Sequence, residues 1–246
     1  VATSAGMVTR LPVGIDGYVL KSNSGTTEGL MWGPAGARQE LTDNMILTVG
    51  DNGDFPTINT ALENIVALYY PKYISGGNCP RVTINLLPGF VMNEQVLVES
   101  LDLSWITITG EDDETIINRS ALVQEFGGGY PAFAAMNGGF LPIIDQLFNM
   151  NTVGDAIDKN GIVVCSNSRA IINSGKGVKN AGHYGLYTSR SSIVYAYLAN
   201  FSGAGVTGIY VSYGSIIAAD YANVSGAGIH GIFVGYSSVA NVNSAN

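Results

Sequence analysis

The sequence predicts an all-β solenoid, a parallel β-helix whose coils are about 23 residues long. The first observation is a repeat: SGAGVTGIYVSYGSI from Ser202 returns as SGAGIHGIFVGYSSV from Ser225. The second is a two-residue alternation. Ile209 and Val211 can point inward while Tyr210 points out, and Val194 and Ala196 alternate with Tyr195 and Tyr197 in the same way. The third is composition. The repeats are rich in Gly, Ser, Val, Ile and Tyr and poor in Glu, Lys and Leu, which favours strands over helices, and Ser-Gly-Ala-Gly turns punctuate them.

The period extends through several coils. Gly161-Ile162-Val163, Gly185-Leu186-Tyr187, Gly208-Ile209-Tyr210 and Gly231-Ile232-Phe233 fall in step, at intervals of 24, 23 and 23 residues. A serine follows each leading glycine by seven residues: Ser168, Ser192, Ser215 and Ser238. Asn200, Asn223 and Asn246 repeat at 23, as expected of stacked amides bonding from coil to coil. Each coil rises by one strand spacing, roughly 4.8 Å.

Residues 1–40 read as short strands with glycine turns, too small to hold a core alone. Their LPxGxxGxVL and GLxW spacing resembles a connector module of bacteriophage tail fibres and tailspikes. From residue 41 to 246 the chain reads as the solenoid. Met45–Val49 is a predicted strand. Ile58, Leu62, Ile65, Val66 and Tyr69 recur at helical spacing, so a helix over 58–70, closed by Pro71, would cap the first coil. Val82–Leu87, Gln95–Val98 and Trp105–Thr109 are strand-like. GDFPTINTAL, LLPGFVMNEQVLVE and ITITGEDDETII resemble the opening coils of pectin-lyase-like right-handed β-helices, pectin esterases included. The esterase aspartates, glutamines and arginine are not found, so the resemblance carries the fold and not that activity. Residues 124–160 read as irregular coils with a protruding loop, with strands at Ala132–Ala135 and Phe140–Ile143. Residues 161–246 are the regular coils, and they resemble those of phage tailspikes. The chain lacks a starting Met and stops two thirds through a coil, which reads as a truncated fragment.

The tailspike resemblance implies a homotrimer, located in the virion as part of the phage tail, attached to other tail or baseplate proteins and recognising a bacterial surface polysaccharide. Composition is compatible. Charged residues are 12% of the chain, about half the usual share. Low charge with 32 glycines suits a solenoid whose faces are partly covered by other subunits. The net charge of -8 splits into -12 over residues 1–158 and +4 over 159–246. That overall sign argues against nucleic acid as a partner. No apolar run reaches the roughly 18 residues of a membrane span. Cys79 and Cys165 have no metal spacing, and no cofactor or metal is expected.

Three chemistries are open to the surface. Glycoside hydrolysis needs two carboxylates roughly 5 to 9.5 Å apart. Residues 159–246 hold only Asp220, so a pair would come from Glu94, Glu99, Asp102, Glu111–Glu114, Glu125, Asp145, Asp155 or Asp158, or from a neighbouring subunit. Elimination on a uronate polymer needs a charge-neutralising group and a base. Arg190, Tyr195, Tyr197, Tyr213, Tyr236, His183 and His230 are residues of the right type, although the histidines read as turn residues. Sugar binding is the simplest. Tyr187, Tyr210 and Phe233 form an outward ladder, one per coil, and Tyr195 and Tyr197 share an outer face with Asp220, Asn241 and Asn243. The glycan-binding candidates are therefore Tyr187, Tyr210, Phe233, Arg190, Tyr195, Tyr197 and Asp220. The competing reading packs the ladder against other subunits. Enzymatic activity stays open, a polysaccharide lyase more than a hydrolase, and so does a structural shaft.

Overall fold

The computed structural model describes residues 18–22, 30–34, 38–72, 79–127, 129–150 and 158–243. Most of the expected connector lies outside the described residues, as do Asp155 and Asn246. Of the connector, Tyr18–Ser22 and Leu30–Pro34 form an antiparallel pair.

The rest is mostly strand, in parallel sheets. The first sheet has six strands: Val96–Glu99, Tyr130–Met136, Lys159–Cys165, Tyr184–Ser189, Thr207–Val211 and His230–Val234, each bonded to the next. The second begins with Met45–Val49, Val82–Leu86, Ile106–Gly110 and Ile143–Asp145. Bridges from Phe140 to Arg169 and from Ile144 to Ile172 lead on to Arg169–Ile171, Ile193–Tyr195, Ile216–Ala218 and Val239–Asn241. The third holds Val91–Met92, Thr115–Ile117, Leu147–Asn149 and Gly177–Lys179. From Val96 to Lys179 the chain visits first, second and third sheet in rotation. The pairing Leu186–Ile209–Ile232 steps by 23 residues, as the repeat requires.

The alternation read from sequence is the burial pattern. Ile209, Val211, Val194 and Ala196 are fully buried, while Tyr195 and Tyr197 are exposed. The inward residues join in one continuous apolar core, in which Phe133 meets the edge of Phe148 at 4.8 Å. Close stacking leaves no room beside the leading glycines. A Cβ on Gly185 or Gly208 would sit 2.7 Å from the carbonyl oxygen of Gly208 or Gly231.

Helix α1 runs over Ile58–Leu68 and buries Ile58, Ala61, Leu62 and Ile65 against the core. Thr57 caps it and Thr60 closes a capping box. Glu94 reaches across, its two oxygens accepting the backbone N–H groups of Ile58 at 2.7 Å and Asn59 at 3.0 Å. The helix stops before Tyr69 because Tyr69–Tyr70 turns extended and pairs with Gln39–Glu40.

Two features differ from expectation. Within 124–160, of which 128 and 151–157 lie outside the described residues, Tyr130–Met136, Ile143–Asp145 and Leu147–Asn149 are ordinary strands of the three sheets, so the strand expected at Phe140–Ile143 begins only at Ile143. The asparagine column also does a different task. Asn200 and Asn223 turn their side-chain oxygens onto the N–H and hydroxyl of Ser202 and Ser225 in the same coil. A short polar side chain at a turn bonds its own backbone two residues on. The serine column bonds from coil to coil instead: the Ser192, Ser215 and Ser238 hydroxyl oxygens accept the backbone N–H of Ser168, Ser192 and Ser215, each at 3.2 Å.

Candidate glycan-binding surface

The sequence-derived site residues fall on three neighbouring stripes of the last coils. Tyr187, Tyr210 and Phe233 are in register on the outer face of the first sheet. Tyr210 stacks on Phe233, while Tyr187 is tilted 44° to Tyr210 and stacks on Tyr184. Tyr210 and Phe233 lie 4.7 Å apart and 17° from parallel, and Tyr187 follows at 5.5 Å. Tyr184 joins them, 5.5 Å from Tyr187 and 5.0 Å from Tyr210, and His183 stacks on Tyr184 at 3.8 Å. Burial and the crowding of phenols push the Tyr184 and Tyr210 hydroxyls above the ordinary tyrosine range. Burial pushes His183 below its usual value. All four ladder rings are half-buried. A ring whose face is taken by another ring offers its edge and hydroxyl outward. The stack is therefore poorly arranged to carry sugars on its aromatic faces, except at its ends.

Toward its N-terminal end the same outer face is covered by the chain itself. Phe126 packs with Leu97, Met136 and Tyr187 over Ala134, Val163 and Cys165. This cover pushes the Cys165 thiol up.

Arg190 stands on the second stripe, the corner that follows the first sheet. It is exposed, with φ of 56°. Tyr213 and Tyr236 occupy the same corner of the next coils at φ of 52°, and their rings stack at 4.6 Å, 6° from parallel. Arg190 is thus at the foot of a tyrosine column and is not joined to the Tyr187 ladder.

The third stripe is the outer face of the second sheet and its following corner. Tyr195 pairs along the sheet with Ala218 and then Asn241. Tyr195 is 57% exposed and Tyr197 54%. Tyr197 meets Tyr221 edge to face, at 5.9 Å and 81°. Asp220 is half-buried between them in the chain, and one of its oxygens accepts the Asn243 N–H at 2.8 Å. Here ring faces remain open, next to a carboxylate and the exposed Asn241 and Asn243. Ile193, Ile216 and Val239 continue the face as an apolar column beside Tyr195. Tyr221 and Tyr184 escaped the sequence reading. Tyr221 follows Leu198 and Gly175 in its column, so no repeat flags it, and Tyr184 breaks the alternation by preceding Tyr187 by three residues.

Several of the carboxylates proposed for acid catalysis are occupied in tying the structure together, while among the described residues Asp113, Glu125 and Asp158 are not. Glu94 caps α1, Glu99 accepts from Asn137, Glu111 from Asn85, Asp112 from the Gly89 N–H and Asp145 from Asn173. Glu114 pairs with Lys179 and accepts from Asn149, which holds its carboxyl below the usual range. Of the histidines expected in turns, His230 opens the strand His230–Val234, while His183 lies in the bend before Tyr184. Among the described residues no group of three or more His, Cys, Asp or Glu is placed to hold a metal, and no helix is long and apolar enough to cross a membrane. No protein-family model matches the chain, and no curated protein matches its sequence.

Proposed function

We propose that the chain is part of a bacteriophage tailspike or tail fibre, a right-handed parallel β-helix that works as a homotrimer in the virion and recognises a bacterial surface polysaccharide during host adsorption. The rotation of the chain through three parallel sheets from Val96 to Lys179, and the 23-residue step of the strands that follow, support the solenoid. The observation that carries the functional reading is the third stripe. Tyr195, Tyr197 and Tyr221 present open rings beside Asp220 and two asparagines, on a rigid and regular support. Apolar ring faces next to hydrogen-bonding groups match the apolar faces and hydroxyl edges of sugar rings.

The two sequence alternatives for the Tyr187 ladder then separate. Its stacked rings suit packing against neighbouring subunits, where edge and hydroxyl contacts suffice, and the open platform serves the glycan. A depolymerase is the weaker reading, because six of the candidate acids, Glu94, Glu99, Glu111, Asp112, Glu114 and Asp145, are spent on structural bonds.

The test is to expose purified polysaccharides from bacterial surfaces to the chain. Retention would be followed together with polymer size, new reducing ends and the ultraviolet absorbance of unsaturated products. Retention without shortening is the expected result. Shortening with absorbance would make the protein a lyase, and shortening without it a hydrolase. The absence of both retention and cleavage would leave only a structural shaft.

A further inference from the structure

The platform carries its own information about the polymer. Asp220 is the one acid in residues 159–246, so its placement beside the exposed tyrosines stands against a basic background. Among the described residues it makes no salt bridge, and its hydrogen bond to the Asn243 N–H fixes one oxygen while the other has no partner. None of the five bases of residues 159–246 lies in the Asp220 coil. Arg190 is one coil lower, on the corner that follows the first sheet. Arg169 pairs with Ile193, which pairs with Ile216, so it lies two coils lower. The Lys176 carbonyl accepts the Asn200 N–H, and the Ala199 carbonyl the Asn223 N–H, so Lys176 is two coils lower as well. A uronate or phosphate group lying over Tyr197 and Tyr221 would face an uncompensated carboxylate, and like charges at such a site repel.

The backbone supplies a second, independent observation. The corner residue of this column is Gly175 at φ of 74° in the lower coil, then Leu198 at 56° and Tyr221 at 58°. Left-handed backbone suits glycine and disfavours bulky side chains. Left-handed residues recur at these corners, Arg190, Tyr213 and Tyr236 among them, and at this one the backbone brings the Tyr221 ring against Tyr197, next to Asp220.

We infer that the polymer is a neutral or amine-bearing polysaccharide, and not a polyuronate, that lies over Tyr195, Tyr197 and Tyr221 with Asp220 accepting its hydroxyl or ammonium donors. This rests on the glycan-recognition reading above and adds the chemical class of the ligand and the residue that selects it.

The experiment uses the whole chain and a panel of purified bacterial surface polysaccharides in three groups: neutral, amine-bearing and uronate-bearing. Retention is measured for the unaltered chain and for Asp220→Asn, Tyr221→Gly and Tyr210→Ala. Asp220→Asn keeps an oxygen for the Asn243 N–H, so the fold is maintained. The expected result is retention of a neutral or amine-bearing polymer, weakened tenfold or more by Asp220→Asn and by Tyr221→Gly. Tyr221→Gly should also melt no lower than the unaltered chain, a readout that separates lost binding from lost folding. Retention of uronate polymers alone, or retention untouched by Asp220→Asn and Tyr221→Gly but lost in Tyr210→Ala, would overturn the inference and leave glycan recognition standing. Retention of no polymer by the unaltered chain would overturn glycan recognition itself.

Discussion

The two halves of the second sheet share an inner face and differ on the outer one. Inward, Ile84, Ile108 and Ile144 of the early strands and Val194 and Ile217 of the later ones are all buried in one core. Outward, the early strands show Thr48, Thr83, Asn85, Thr107, Thr109 and Asp145, with Ile46 and Ile143 on the first and last of the four. The later strands show Ile193, Tyr195, Ile216 and Val239, with Tyr197 and Tyr221 at the corner. A sheet face mostly of threonine and asparagine is content in water, and its two isoleucines are kept apart by Thr83 and Thr107. Contiguous exposed isoleucine, valine and tyrosine mark a surface that meets something else. The inner face builds the fold, and it is on the outer face that the early and late strands differ.

The largest expected effects lie on the shared inner face. Ile108→Ala and Ile217→Ala should each cost about 2–5 kcal/mol, since both remove a fully buried side chain from the same continuous core. Denaturant unfolding would check this. A near-zero cost for Ile217→Ala alone would mean the late coils are not part of one cooperative core.

Next comes the serine column. Ser192→Ala removes the acceptor for the buried Ser168 N–H and should cost about 1–3 kcal/mol. Removing the Asn223 side chain, which bonds only within its own coil, should cost less. Thermal unfolding of Ser192→Ala and Asn223→Ala side by side distinguishes the two columns, and an equal loss in both would contradict the assignment of coil-to-coil bonding to serine.

A smaller effect, opposite in sign, is expected at the corner. Tyr221→Gly relieves left-handed strain worth about 1 kcal/mol and gives up an edge contact with Tyr197 of similar size. Its melting temperature should equal or exceed that of the unaltered chain. A clear loss of stability would show that the ring is kept for folding.

The smallest effect is with pH, and it belongs to the early half. Thr48 lowers the Asp54 carboxyl by donating its backbone N–H and its hydroxyl, and Lys179 with Asn149 lowers that of Glu114. For groups depressed in the folded state, the stabilisation is complete above the unfolded carboxylate values and is lost as pH falls through the depressed ones. Glu94 acts in the opposite direction: burial raises its carboxyl despite the two N–H groups of α1. Its contribution is fullest below the unfolded value and declines as pH rises through the raised one. Melting temperature in Asp54→Asn and Glu114→Gln should respond less to acid than in the unaltered chain.

Much of the fold was legible because a stacked coil writes its period into the chain. The strand Met45–Val49 and the inward and outward assignments at Val194 to Tyr197 and Ile209 to Val211 follow directly from alternation. Helix α1 was legible from its apolar spacing, but the Glu94 cap was not, because it joins residues 36 and 35 positions apart. The site was only half legible. Alternation says that Tyr187, Tyr210 and Phe233 point outward, and it cannot say that their rings would spend their faces on each other. Nor can it place Arg190, whose corner position depends on a left-handed backbone that composition does not announce. Tyr195, Tyr197 and Asp220 were found from sequence, and Tyr221 was missed because glycine and leucine precede it in the column.

The central claim is that the late outer face, and not the early one, recognises polysaccharide. It is tested most directly by giving the late face the early chemistry, with Tyr195→Thr and Tyr197→Asn in one chain, and measuring retention of a bound surface polysaccharide. The account predicts that retention falls more than tenfold while the melting temperature stays close to that of the unaltered chain. Unchanged retention in a folded double variant would contradict it.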